Sequence, residues 1–281
     1  MKLVTYDRGD NIQRPGLLEG DSVYDLSGYG MRSVLDVIEG GTVALETLAT
    51  ALGKVPPCAL ETVRLLAPIP RPPRVFGIGL NYAEHAAESK MKVQEVPTVF
   101  LKLSSVVGPG GEVILPKNAS QNDYEAELGV VIGKAGYRIS AKDWESHVFG
   151  YTIVNDVSAR DVQLATSQWT LGKSFPTFTP LGPTVVTKDE IPDPHALDIR
   201  LAIDGEVLQD SNTRHLIFRI PQLIEYISSI TPLEAGDVIS TGTPPGVGMG
   251  RTPQRWLQPG EEMVIHIQGL GELRNRICAE V

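Results

Sequence analysis

Apolar and polar residues alternate over short stretches through most of this chain, a pattern that predicts strands. LVTYD (3–7) and DSVYDLS (21–27) read as short strands, with RPGLLEGDS between them as turn material. The period then changes. SVLDVIEGGTVALETLATAL (33–52) places its apolar residues at helical spacing and is interrupted at Gly40–Gly41. PIPRPPRVFGIG (68–79) holds four prolines and ends in glycines, which marks passage into a second, larger unit. Beyond it the alternation predicts strands over 74–79, 98–103, 112–116, 125–133, 148–156, 182–187, 198–209, 237–242 and 262–277. AIDGEVL contains an Asp-Gly pair between alternating runs, a hairpin signal. Helical stretches are few: 81–91, 140–147, 158–168 and 219–230.

Many strands, few helices and frequent Gly/Pro turns predict an α+β, mostly β protein. A β-roll or sandwich-like barrel is favoured over a doubly wound sheet. The expected organisation is a small α/β unit over residues 1–70 and a larger one over 71–281. The 281 residues, 42% of them hydrophobic, suffice for a substantial core. A net charge of −9 without a basic cluster argues against nucleic acid as a partner. No apolar run approaches the length of a membrane span, and MKLVTYDRGD does not read as a signal peptide. Cys58 and Cys278 lack metal-ligand spacing and read as free thiols, so a cytoplasmic location is expected.

The chemistry concentrates where carboxylates gather. In DYEAELGVVIG (123–133), Glu125 and Glu127 are one residue apart at the entry to a run of apolar residues. In a strand they point to the same face, where like charges repel and lose hydration unless a cation sits with them. A bound metal or a Lys/Arg would serve; an exposed strand end is the alternative. Asp156, closing TIVND, is either a third oxygen ligand for a hard cation or the N-cap of the segment near Ser158. Lys173 in LGKSFPTF either neutralises an acidic pocket and holds an oxyanion or lies on a surface loop.

If NYAEHAAES is helical, His85 and Glu88 are i,i+3 neighbours, an arrangement that orients an imidazole for general-base catalysis or is an ordinary exposed pair. STGTPPGVGMG (240–250) meets neither the dinucleotide nor the P-loop fingerprint. It reads as a tight turn whose backbone N–H groups and Thr243 hydroxyl could meet a carboxylate. His147, His195, His215 and His266 read as structural or surface residues.

Taken together, NYAEHAAE, FLKLSSVVGPGGEVILP, DYEAELGVVIG, GYTIVNDVSARDVQ, GKSFPTFTPLGP, DGEVLQDSNT and GDVISTGTPPGVG resemble, in order, the fumarylacetoacetate hydrolase family from about residue 72 onward. The first 70 residues resemble the small domain of its longer bacterial-type members. The resemblance implies a mixed β-sandwich roll, usually a homodimer. It implies that Glu125, Glu127 and Asp156 hold Mg²⁺, Mn²⁺ or Ca²⁺, and that His85 and Glu88 form a water-activating dyad on a segment that closes over the substrate. It implies that Lys173 stabilises negative charge, that Arg160, Gln163 and Thr243 line the substrate pocket, and that Thr177 lies near the metal. Many close relatives carry Asp where this chain has Pro176.

The activity implied is hydrolysis of a C–C bond in a small 2-oxo acid of acylpyruvate type. The cation acts as Lewis acid, His85 draws a proton from water, and pyruvate and a carboxylic acid are released. Oxaloacetate decarboxylation and isomerisation or hydration of 2-oxo acids draw on the same chemistry. A non-catalytic binding module is disfavoured by the presence of both His85 and Lys173.

Overall fold

The computed structural model describes residues 1–51, 56–89, 91–103 and 106–281. Among them a twelve-stranded sheet runs, from one edge to the other, through Cys58–Ala59, Ser22–Asp25, Arg14–Glu19, Lys2–Asp7, Thr179–Thr187, Val148–Asn155, Ala126–Ile132, Val238–Ser240, Val75–Gly79 and Thr98–Lys102. Arg64–Leu66 and Val106–Val107 pair alongside this path. A five-stranded sheet follows the order Glu206–Asn212, Asp198–Ile203, Glu262–Ile267, Gly271–Ala279, Glu112–Leu115. Most pairings are antiparallel; Val238–Ser240 with Val75–Gly79, Gly271–Ala279 with Glu112–Leu115 and Thr179–Thr187 with Val106–Val107 are parallel. The protein is thus mostly β with open mixed sheets, not a closed barrel.

The central strands explain their own composition. Ala126–Ile132 and Val148–Asn155 are buried at every position. Leu128, Val130, Ile132 and Ile153 face a core shared with Ile199, Leu201, Ile265 and Ile267 of the smaller sheet and with helix Ile220–Ile230. Val131, Val154 and Val185 pack on the other side against Val34, Val37 and Ile38. A strand covered on both faces needs a continuous apolar run rather than alternation, and LGVVI is that run. The helix over Val34–Ala51 is kinked at Gly41, whose φ of 54° and ψ of −135° break the helical path where the glycine pair predicts it.

The hairpins also match the pattern. Asp204 and Gly205, at φ 48° and 85°, turn Asp198–Ile203 onto Glu206–Asn212. Three expectations differ from the structure. The expected turn material at 14–22 contains strand Arg14–Glu19, paired with Lys2–Asp7 on one side and Ser22–Asp25 on the other. Gly16 serves packing there: a Cβ would come 2.9 Å from Val23 and 3.0 Å from Tyr6. The helix expected over 158–168 is only Arg160–Gln163, because Ser158–Ala159 pairs with Asn122–Asp123. The expected helix at 81–91 is Ala83–Glu88, and Lys90 lies outside the described residues.

Candidate active site

The site forms where the central hairpin ends. Ala126 opposes Asn155 in the ladder, and the Asp156 N–H donates to the Glu125 carbonyl at 2.9 Å. This register sets Asp156 beside Glu125, while side-chain alternation sets Glu127 on the face of Glu125. Carboxylate oxygens of Glu125, Glu127 and Asp156 lie within 4.8 Å of one another, all three residues buried. Asp156 is not a helix cap: the nearest helix begins at Arg160, and Ala159 caps it without a side-chain bond.

Three buried cations meet these acids. Lys173 Nζ lies 2.6 Å from Glu125 Oε2 and 2.8 Å from Asp156 Oδ2. The Arg160 guanidinium lies 2.6 Å from Glu125 Oε1 and donates to Asp123 at 2.9 Å and to Gln163 at 2.9 Å. Lys102, fully enclosed, pairs with Asp156 Oδ1. Burial opposes the charge on Glu125, but Lys173 and Arg160 outweigh it and hold its pKa below the ordinary glutamate value. Burial likewise opposes the charge on Lys173, yet Asp156 and Glu125 raise its pKa. Burial dominates at Lys102 and lowers its pKa despite Asp156.

Glu127 differs. It accepts from two neutral donors, Ser240 Oγ at 2.6 Å and the Gly242 N–H at 2.8 Å. Burial, with Asp156 and Glu125 adding to it, drives its pKa well above the ordinary value. A clustered, all-oxygen, acidic donor set whose third member has no ion-pair partner among the described residues fits a hard divalent cation.

His85, Glu125, Glu127, Arg160, Gln163, Lys173 and Thr243 line one cavity. Asp156 stands behind Lys173, and Glu88 behind His85. His85 Nδ1 lies 2.9 Å from Glu88 Oε1 within helix Ala83–Glu88, the predicted i,i+3 pair. A carboxylate accepts, so Nδ1 carries the hydrogen, and in the neutral ring the lone pair is then on Nε2. The Thr243 hydroxyl donates to the Ala126 carbonyl at 3.0 Å and accepts from Gln209 at 2.8 Å. It therefore offers a ligand an acceptor only. Thr177, at φ 67°, accepts from the Ile114 N–H at 2.8 Å and stands outside the cavity wall. Pro176 is exposed, and Lys173 reaches the acids regardless.

Two residues escaped the sequence reading. Lys102 had a signal: strand alternation puts it on the inner face with Phe100, while Val99 and Leu101 are exposed. Asp123, buried beneath Arg160, had none, because its other partners are the backbone N–H groups of Gly248 (2.7 Å) and Met249 (3.0 Å), far along the chain.

A buried acidic cluster, a carboxylate-oriented histidine and a clamped arginine on open mixed sheets define a family of enzymes. The fumarylacetoacetate (FAA) hydrolase C-terminal family matches residues 74–278, and the chain belongs to that family. It is 43% identical over 288 residues to human mitochondrial oxaloacetate tautomerase FAHD2A, covering 99% of this chain and 91% of the relative. It is 42% identical over 264 residues to the rat mitochondrial oxaloacetate tautomerase Fahd2a, covering 92% of this chain and 84% of the relative. Among solved structures it resembles the fumarylacetoacetate hydrolase of psychrophilic Exiguobacterium antarcticum, with a TM-score of 0.87, 35% identity and 100% of both chains covered. It also resembles the maleylpyruvate hydrolase of Sphingobium sp. SYK-6 solved with manganese(II) and pyruvate, with a TM-score of 0.86, 28% identity and 100% of both chains covered. No described helix is long and apolar enough to cross a membrane.

Proposed function

We propose that this chain is a divalent-cation-dependent oxaloacetate tautomerase, interconverting the enol and keto forms of a small 2-oxo diacid. The observation that carries the reading is one cavity lined by His85, whose Nδ1 is held by Glu88, together with buried Lys173 and Arg160. The identity to two oxaloacetate tautomerases over 92–99% of the chain supports the choice of substrate.

Glu125, Glu127 and Asp156 would hold the cation, which supplies Lewis acidity toward the 2-oxo oxygen. Arg160, fixed by Asp123 and Gln163, and Lys173 hold the anionic oxygens of the substrate. His85 Nε2 takes the proton from the enol hydroxyl. The electron pair closes the carbonyl, the adjoining carbon takes the proton back from the His85 imidazolium, and the ring is neutral again; the reverse sequence forms the enol. Glu88 keeps the imidazole in the required tautomer throughout.

C–C bond hydrolysis of an acylpyruvate is the second reading. The His85–Glu88 pair favours it, since the same geometry draws a proton from water, and two of the structurally similar proteins are named hydrolases. One experiment separates the two. Purified protein is given enol-oxaloacetate and a panel of acylpyruvates, with Mg²⁺, Mn²⁺ or EDTA, while enol absorbance and pyruvate are followed. Cation-dependent loss of enol without pyruvate is the expected result. Cation-dependent pyruvate release from an acylpyruvate would select hydrolysis, and turnover of neither substrate would contradict both.

A further inference from the structure

The loop after Val238–Ser240 uses its backbone N–H groups on carboxylates, and those carboxylates belong to the protein. The Gly246 N–H donates to both oxygens of Glu88, at 3.1 and 2.9 Å. Two residues on, the N–H groups of Gly248 and Met249 grip Asp123, which also holds Arg160. The Gly246 carbonyl accepts from the Tyr124 hydroxyl at 3.0 Å and from Arg251 at 3.2 Å, so this peptide is fixed from both sides.

Each glycine here answers to a different neighbour. Gly246 has a φ of 105°, and a Cβ would run into the Leu208 carbonyl. A Cβ on Gly248 would run into the Arg255 carbonyl. Gly250 is different: its φ lies outside the left-handed region, and the three atoms nearest to a Cβ there all belong to the Glu88 side chain, Cδ at 2.7 Å, Oε2 at 2.8 Å and Cγ at 2.9 Å. None of these nearest atoms is backbone. What stands in the way is the carboxylate that orients His85.

We propose that Gly246 and Gly250 are positioning residues for the His85–Glu88 pair. Gly246 draws the Glu88 carboxylate into place by its N–H, and Gly250 leaves the space that the carboxylate occupies. Asp123 anchors the loop beneath Arg160, so the brace is referred to the substrate site rather than to solvent. The inference rests on the reading of His85 as the proton-carrying group. It extends that reading to residues that touch neither substrate nor cation.

Gly250→Ala tests it, because the added methyl meets the Glu88 side chain first and φ at this position suits an alanine. The expected result is a kcat lowered about 10- to 100-fold, the lower range of general acid–base effects, with KM and thermal midpoint little changed. In a Glu88→Ala background the same substitution should have no further effect, since the group it displaces is gone. Imidazole ¹⁵N shifts of His85 give a readout that needs no turnover: a single Nδ1–H tautomer in the wild type and a tautomer mixture in Gly250→Ala. Equal losses in the two backgrounds, or an unchanged His85 tautomer in Gly250→Ala, would overturn the proposal. If the wild type turns over no 2-oxo acid, the functional reading fails, and the tautomer comparison still decides the positioning.

Discussion

Lys173 Nζ lies 2.6 Å from Glu125 Oε2, and both side chains are buried. A lysine so placed neutralises the acids at rest and is available to a substrate oxyanion. Lys173→Met should lower turnover by about 10²–10³-fold, the loss typical of one preorganised oxyanion donor. It should also tighten divalent-cation binding, because it removes a positive charge from the triad. Turnover and titration calorimetry on the same preparation check both halves.

Lys102 and Asp156 form an ion pair that side-chain exposures of 0% and 1% place wholly inside the protein. Lys102→Met takes a charge from Asp156 and from the cluster around it. Truncating one partner of a buried pair typically costs about 3–5 kcal/mol. Urea denaturation of cation-free protein should show a loss of that order, and Mn²⁺ should restore more stability to the variant than to the wild type. Equal stabilities would show that Lys173 alone satisfies Asp156.

Glu127 has Ser240 Oγ and the Gly242 N–H as partners, and its burial disfavours the charged form. Glu127→Gln keeps the shape and the hydrogen-bonding acceptor while removing the charge. The variant should fold at least as stably without cation, yet lose cation binding and activity together. His85→Ala should separate the two, binding the cation normally while losing about 10²–10⁴-fold in turnover.

His195 Nε2 accepts from the Ile220 N–H at 3.2 Å, at the start of helix Ile220–Ile230. Burial, followed by the nearby Arg219 charge, lowers the imidazole pKa, and Asp193 opposes this only in part. A pKa lower in the folded than in the unfolded chain gives stability that is complete above the unfolded histidine value. That stability is lost as pH falls through the unfolded value, about 6.5, toward the folded one. Chemical denaturation at pH 7.5 and pH 5 should show this loss in the wild type and a smaller one in His195→Gln.

Much of the site is written locally. Glu125 and Glu127 share a strand face, His85 and Glu88 share a helix face, and Asp156 ends a hydrophobic strand; each follows from a fixed period. The central strands are legible because burial on both faces demands an unbroken apolar run. What the sequence hides depends on distant partners. Pro15–Gly16 has the composition of a turn but lies in a strand, because flanking strands supply the pairing and Tyr6 and Val23 need the space at Gly16. The segment after Ser158 has helical spacing, yet its first two residues are claimed by Asn122–Asp123. The glycines at 246, 248 and 250 read as a loop, and their tie to Glu88 and Asp123 exists only once the chain has folded.

The central claim is that the buried acidic triad holds a divalent cation on which turnover depends. The most direct test is a Mn²⁺ titration of exhaustively chelated protein, following bound ion by electron paramagnetic resonance and turnover of enol-oxaloacetate in the same samples. The account predicts no turnover without cation, saturation at one ion per chain, and activity rising in proportion to bound ion. Full turnover in the chelated protein, or Mn²⁺ binding undiminished in Glu127→Gln, would contradict it.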